Sequence, residues 1–237
     1  MGYWAKFGMW IKNMILHDEV FERILENKNS PFVARNACTP SEILTWNNVD
    51  RYINDNVHNS AITIISEHNK KITYKSTDTG YTPTKQIYTD ILDGSSFVLN
   101  FMERYTPGLF YVSNIMSQMF DRYVTTNIYG GVKSYATSFN THADSQYVLI
   151  LHLSGESEWI IFNEVWNGNS NEAVCANDSI LSKTIHTTLT AGDVLYIPHR
   201  RYHKCIPHSK RLSASISVDY DSSRPDHYGH WFNLEDI

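Results

Sequence analysis

Hydrophobic and polar positions alternate with two different periods along this chain, and the change from one to the other divides it. From Asp18 to Asn27 the apolar residues recur at helical spacing, and Ser30-Pro31 breaks the pattern before a short strand, Phe32 to Ala34. Thr39-Pro40-Ser41-Glu42 has the form of a capped helix start, with Thr39 as N-cap and Pro40 in the first turn, and a second helix is predicted around Val49 to Asp55. Ala61 to Glu67 and Lys71 to Lys75 read as strands joined by a polar hairpin, and Tyr81 to Lys85 as loop. Thr89 to Leu92 reads as helix, Ser96 to Asn100 as strand, and Pro107 to Tyr123 as a helix with Leu109, Phe110, Ile115, Met116 and Phe120 apolar. Beyond this point the period becomes that of strands.

Tyr147 to Leu151 is an unbroken apolar run, as in a strand buried on both faces. Ser154-Gly155-Glu156 turns the chain into a second apolar strand, Trp159 to Phe162. Ala191-Gly192-Asp193 is turn chemistry before a strand from Val194 to Ile197, which Pro198 ends because it lacks a donor. Arg211 to Tyr220 alternates strictly, with Arg211, Ser213, Ser215 and Ser217 on one face and apolar residues on the other. The polar stretch from Asn163 to Asp178 is either a substrate-facing flap or a solvated insertion.

Bulk properties change this picture little. The 237 residues suit one domain, the hydrophobic fraction of 42% supports a substantial core, and an aromatic share of 13% suits strands. A net charge of -5 does not favour nucleic acid as a partner. Cys38, Cys175 and Cys205 are odd in number and widely spaced, so a reducing, cytoplasmic setting is expected. The N-terminal stretch, with Lys6 and Lys12 among its apolar residues, has neither a signal-peptide core nor a membrane span, and Lys6 stands where myristoylation needs Ser or Thr; an amphipathic packing helix is expected. The sequence gives no signal of oligomeric state.

The candidate chemistry starts from His142-Ala143-Asp144. On a strand, positions 142 and 144 share a face, so an imidazole and a carboxylate converge. His203, just past the strand that Pro198 ends, offers a third ligand; two histidines and one carboxylate are the facial set that leaves positions open on Fe(II). His199, His208, His227 and His230 read as loop or surface histidines, and Cys205 as pocket packing.

Together these residues resemble the JmjC-type, cupin-like Fe(II)/2-oxoglutarate oxygenases, in particular the ribosomal oxygenases and the asparaginyl hydroxylase of hypoxia-inducible factor. The motifs that carry the resemblance are Asn127-Ile128-Tyr129, His142-Ala143-Asp144, Gly155, Trp159, and Gly192-Asp193-Val194-Leu195-Tyr196-Ile197-Pro198 followed by His203, over about Ile91 to Tyr220. Asn29-Ser30-Pro31-Phe32-Val33-Ala34-Arg35 looks like the family's opening strand. The resemblance implies a mainly β double-stranded β-helix (jelly-roll cupin) with N-terminal helices and strands to about residue 105, a metal-binding core over about 106–220 and a short tail. It implies Fe(II) on His142, Asp144 and His203, with 2-oxoglutarate as co-substrate. Hydroxylation of a peptide or protein side chain is then expected, consuming O2 and forming succinate and CO2; a small molecule or an RNA base is the alternative substrate, and a non-catalytic metal- or ligand-binding cupin the alternative class. The dimerisation and winged-helix parts of ribosomal oxygenases are not expected, which leaves recognition to barrel loops and N-terminal additions.

One residue departs from the family pattern. Relatives carry Lys or Arg two positions beyond the turn glycine, pairing with the distal carboxylate of 2-oxoglutarate, and here that position is Ser157. Other 2-oxoglutarate oxygenases use an Arg-x-Ser pair on the strand after the distal histidine, which Arg211-Leu212-Ser213 matches, although Arg211 also reads as closing a surface turn. Lys133, Lys183 and Arg200 are the fall-back cations. Asn127, Tyr129 and Thr141 match places near the co-substrate, or are ordinary strand residues.

Overall fold

The computed structural model describes residues 15–54, 62–66, 71–74, 83–136, 138–168 and 174–223. In chain order the elements are α1 (Asp18–Glu26), β1 (Phe32–Ala34), α2 (Pro40–Ile43), α3 (Trp46–Asn54), β2 (Ile62–Ile65), β3 (Lys71–Tyr74), α4 (Thr84–Leu92), β4 (Ser96–Leu99) and α5 (Pro107–Phe120). There follow β5 (Arg122–Gly131), β6 (His142–Ala143), β7 (Tyr147–Ser154), β8 (Glu156–Val165), β9 (Val174–Cys175), β10 (Lys183–Thr190), β11 (Val194–Ile197), β12 (Arg201–Pro207) and β13 (Arg211–Ser223). Every strand pair is antiparallel, in an eight-stranded sheet of order β1-β11-β7-β13-β5-β4-β2-β3 and a five-stranded sheet of order β10-β8-β12-β6-β9.

Strand β7 explains how the layers stack. All of Tyr147 to Leu153 is buried because the strand has a layer on each side. Tyr147, Leu149, Leu151 and Leu153 join the core formed with the helices, together with Leu212, Ala214, Ile216 and Val218 of β13 and Leu109, Val112 and Met116 of α5. Val148 and Ile150 point the other way and pack with Trp159, Ile161, Leu189, Leu195 and Ile197 between the two sheets. The helices thus buttress the outer face of the large sheet, and its inner face meets the small one. This is the mainly β jelly roll that the family resemblance implies.

Several boundaries move. Helix α5 ends at Phe120, not Tyr123, because Asp121 adopts the left-handed conformation (φ 51°) and sends the chain into β5; its start is as expected, with Thr106 accepting a hydrogen bond from Leu109 N (3.2 Å) ahead of Pro107. Thr39 precedes α2, but its side chain makes no capping bond and the helix is a single turn. Thr84 and Lys85, expected in a loop, begin α4. The expected N-terminal packing helix to residue 14, the hairpin at 67–70 and the middle of the 163–178 loop lie outside the described residues. The described part of that loop returns as β9, whose Cys175 pairs with His142. No helix among the described residues is long and apolar enough to cross a membrane.

Candidate metal centre and its cavity

Two short pieces of backbone bring the three expected ligands together. His142 lies on β6 directly opposite His203 on β12, with ring centroids 4.3 Å apart. Asp144 follows β6, and its carbonyl accepts a hydrogen bond from Arg200 N (2.9 Å), held in place by the left-handed conformation of Arg200 (φ 59°) after Pro198. Asp144 Oδ2 is 3.6 Å from His142 Nε2 and 3.5 Å from His203 Nε2. The donor atoms of all three residues lie within 4.8 Å of one another.

The tautomers suit a metal. His142 Nδ1 lies 2.7 Å from Asn140 O, and His203 Nδ1 lies 2.9 Å from Arg201 O. A carbonyl only accepts, so each Nδ1 carries a proton, and each Nε2, the atom that faces Asp144, is the one left to bind a metal in place of its proton. Burial pushes the Asp144 carboxyl up, but hydrogen bonds and charge from His142 and His203 outweigh it and hold the group well below its usual range. Burial lowers His142, and Asp144 more than reverses this. Neighbouring donors on an octahedral ion with bonds of about 2.1 Å stand about 3 Å apart, so the two sides that meet at Asp144 need to shorten by only about half an ångström to fit an ion.

Beside the triad lies a cavity enclosing about 670 Å³ including its open mouth, lined by residues of both sheets. Its far wall carries the polar face of β13. Arg211, Ser213, Ser215 and Ser217 are all buried, which excludes the surface-turn reading of Arg211. The guanidinium is 4% exposed; it donates to Ala136 O (3.2 Å) and Ser96 Oγ (2.9 Å), and among the described residues no carboxylate pairs with it. Burial lowers its pKa. Its cross-strand partner is Gly131, where an added Cβ would sit 3.1 Å from Arg211 Nη1 and 2.8 Å from Ala136 Cβ, so glycine leaves the guanidinium its room. Leaving an ion buried without a counter-charge costs several kcal/mol.

Arg211 also occupies the neighbourhood that the family pattern gives to the residue at position 157. Burial pushes the Cys205 thiol up, Arg211 pulls it down through its charge, and the Ser157 side chain lies beside it. Ser157 is fully buried on β8 opposite Pro207, and Gly155, with φ at 76°, turns the chain into that strand. The cation therefore enters from β13 rather than from β8.

The remaining expected co-substrate residues divide. Tyr129 lines the cavity; burial and the Asp144 charge raise its phenol, against a hydrogen bond from Asn127. Ser213 lines it too, but its hydroxyl is engaged. His152 Nε2 donates to Gly155 O (3.0 Å), and burial holds this imidazole down at about 4, hence neutral, so Nδ1 accepts from Ser213 Oγ (2.9 Å). Asn127 and Thr141 are not among the cavity-lining residues, nor are Lys133, Lys183 and Arg200. Cys205 lines the cavity as expected, and His199 stacks on Tyr220 at 3.8 Å between centroids.

Sequence reasoning missed three contributors. Ser96 holds Arg211 from a strand more than a hundred residues away. Phe139 packs edge-on against both Tyr129 and His142, with Lys71 Nζ 4.8 Å above its ring. Trp159, quoted only as a family motif, stacks on His203 with centroids 6.2 Å apart, and its Nε1 is buried without a hydrogen-bond partner. A buried donor left unpaired costs about 1 to 3 kcal/mol. An anion on Arg211 is what the cavity lacks, so the donor set and the unbalanced cation fit a metal chelated by a small carboxylate ligand.

The family model described as the JmjC domain matches residues 102–225, just over half of the chain, a span that includes His142, Asp144 and His203. The chain belongs to the JmjC domain family. No curated protein matches it. Among solved structures, this JmjC chain is similar in fold to the Escherichia coli ribosomal oxygenase YcfD in complex with cobalt and 2-oxoglutarate, and to the same protein with cobalt and succinic acid. Each has 16% identity and a TM-score of 0.62 over 91% of this chain and 55% of the other. A further X-ray structure of E. coli YcfD matches at 15% identity and a TM-score of 0.61 over 88% and 55%. The chain spans about half the length of these structures.

Proposed function

We propose that this JmjC chain is an Fe(II)/2-oxoglutarate-dependent hydroxylase acting on a peptide or protein side chain. The observation that carries the reading is Arg211, a buried guanidinium without a carboxylate partner among the described residues, in the cavity that also holds two histidines and a carboxylate in a facial arrangement. In support, the E. coli protein of the same fold binds cobalt, 2-oxoglutarate and succinate, and is a ribosomal oxygenase.

His142, Asp144 and His203 would hold Fe(II), which when bound supplies the oxidising chemistry that couples O2 and the decarboxylation of 2-oxoglutarate to hydroxylation of a C–H bond. The backbone carbonyls of Asn140 and Arg201 keep the two imidazoles oriented for that task. Arg211 grips the distal carboxylate. His203 and Cys205 are two residues apart on β12, roughly 6.6 Å along the strand, and both line the cavity with Arg211, so metal site and cation open into the same space. Phe139, Val148 and Ile150 exclude water from the reacting end.

The test is an anaerobic titration of the Fe(II) protein with 2-oxoglutarate, followed by exposure to air. Binding with the charge-transfer absorption of a chelated 2-oxo acid, then succinate release, is expected. A protein that binds Fe(II) but neither binds nor consumes 2-oxoglutarate is a non-catalytic cupin, and the reading fails.

A further inference from the structure

Trp159 is a buried donor on the inner face of β8. The residue is 8% exposed and lines the cavity, and its Nε1 has no hydrogen-bond partner among the described residues. An indole N–H donates only, so no rotation of a neighbouring hydroxyl can satisfy it except one that offers an oxygen. Ser213, the hydroxyl on the opposite wall best placed to assist Arg211, gives its single proton to His152 and has none for a ligand. The cavity therefore holds a cation lacking an anion and a donor lacking an acceptor.

Both line the cavity, Arg211 from β13 and Trp159 from β8. On β8, Ile161 stands opposite His203, and Ser157, where the family pattern has its cation, stands opposite Pro207; Trp159 lies between the two, opposite Cys205. We propose that the Trp159 indole N–H is the second donor to the distal carboxylate of the co-substrate, one carboxylate oxygen taking the guanidinium and the other the indole. The inference rests on the 2-oxoglutarate reading above. It assigns the role of a neutral donor to a strand residue whose ring also backs His203. The donor is thereby fixed by packing before the ligand arrives, which lowers the ordering cost of binding.

Trp159→Phe keeps an aromatic ring behind His203 and removes the N–H. In anaerobic calorimetry with the Fe(II) protein, the variant should bind 2-oxoglutarate roughly tenfold more weakly than wild type. Its affinity for Fe(II) should be unchanged, as should its affinity for pyruvate, which has the same 2-oxo acid head and no distal carboxylate. Equal 2-oxoglutarate affinity in variant and wild type overturns the inference, and so does an equal loss for pyruvate. Failure of wild type to bind 2-oxoglutarate at all is the separate failure of the functional reading. A second measurement does not depend on the variant folding: in the diamagnetic zinc(II) form of wild type, one indole N–H resonance should move downfield on adding 2-oxoglutarate and not on adding pyruvate. No such shift, in a protein that binds 2-oxoglutarate, also overturns it.

Discussion

Replacing Arg211 by Met keeps most of the side-chain volume and removes the charge, and the structure sets opposite signs for its effects with and without ligand. Without ligand, the variant loses the hydrogen bonds to Ala136 O and Ser96 Oγ, each worth about 1 kcal/mol. It also sheds the desolvation of a guanidinium that is 4% exposed and has no carboxylate partner among the described residues, a penalty of several kcal/mol. The ligand-free protein should therefore melt at or above the wild-type temperature. With ligand, a charge-assisted bond worth about 1.5 to 3 kcal/mol is gone, so 2-oxoglutarate should bind about tenfold to hundredfold more weakly. At a concentration one hundred times the wild-type Kd, 2-oxoglutarate stabilises wild type by about 2.7 kcal/mol, and a tenfold weaker complex by about 1.4 kcal/mol. For a chain of this size 1 kcal/mol moves Tm by about 2 to 4 °C. Thermal melts of the metal-loaded proteins should accordingly show the ligand-induced shift of Arg211→Met cut to about half that of wild type or less. An undiminished shift, or a ligand-free variant several degrees less stable than wild type, would refute the assignment of a counter-ion-seeking cation.

Asp144→Ala leaves two histidines facing an empty corner, and metal analysis after desalting should find the variant without the Fe(II) or Co(II) that wild type retains. His152 is held neutral down to about pH 4 by burial, while an unfolded histidine titrates near 6.5. Its folded pKa is depressed, so protons bind the unfolded state first and stability falls as pH drops from 6.5 toward 4; relative to His152→Gln, metal-free wild type should lose about 2 to 3 kcal/mol between pH 7 and 4.5 in denaturant melts, and a constant difference would mean that the imidazole titrates in the fold as it does in the unfolded chain. Gly131→Ala places a methyl 3.1 Å from Arg211 Nη1 and 2.8 Å from Ala136 Cβ. Calorimetry should report 2-oxoglutarate affinity lowered severalfold with metal content intact.

What could be read from the sequence was whatever periodicity or local chemistry encodes. The alternation of Arg211 to Val218 placed four polar residues on one face, and the unbroken run of β7 announced layers on both sides. The candidate metal ligands were legible because a His-x-Asp triplet puts both groups on one face and a histidine follows a strand-ending proline. Helix ends were read less well. Tyr123 continues the apolar pattern of α5, but the backbone turns at Asp121, a conformational choice that periodicity does not carry. The donors and acceptors of the cavity were the least legible. Ser213 gives its proton away only because His152 is neutral and anchored to Gly155, and Ser96 meets Arg211 only through the register of β4 on β5 and β5 on β13.

Both ligand imidazoles lean on main chain, His142 on the carbonyl of Asn140 and His203 on that of Arg201, each two residues upstream on its own segment. An ordinary side-chain replacement at 140 or 201 leaves these anchors standing, since what each histidine needs from its neighbour is an atom that every amino acid has. The vulnerability lies instead in alignment. A one-residue slip of β12 against β6 would separate the directly opposed histidines and swing His203 out of the cavity, with every side chain still in the sequence. Damage of that kind would come from insertions and deletions in the connecting loops, and the centre should tolerate drift in the identity of its surroundings far better than drift in their length.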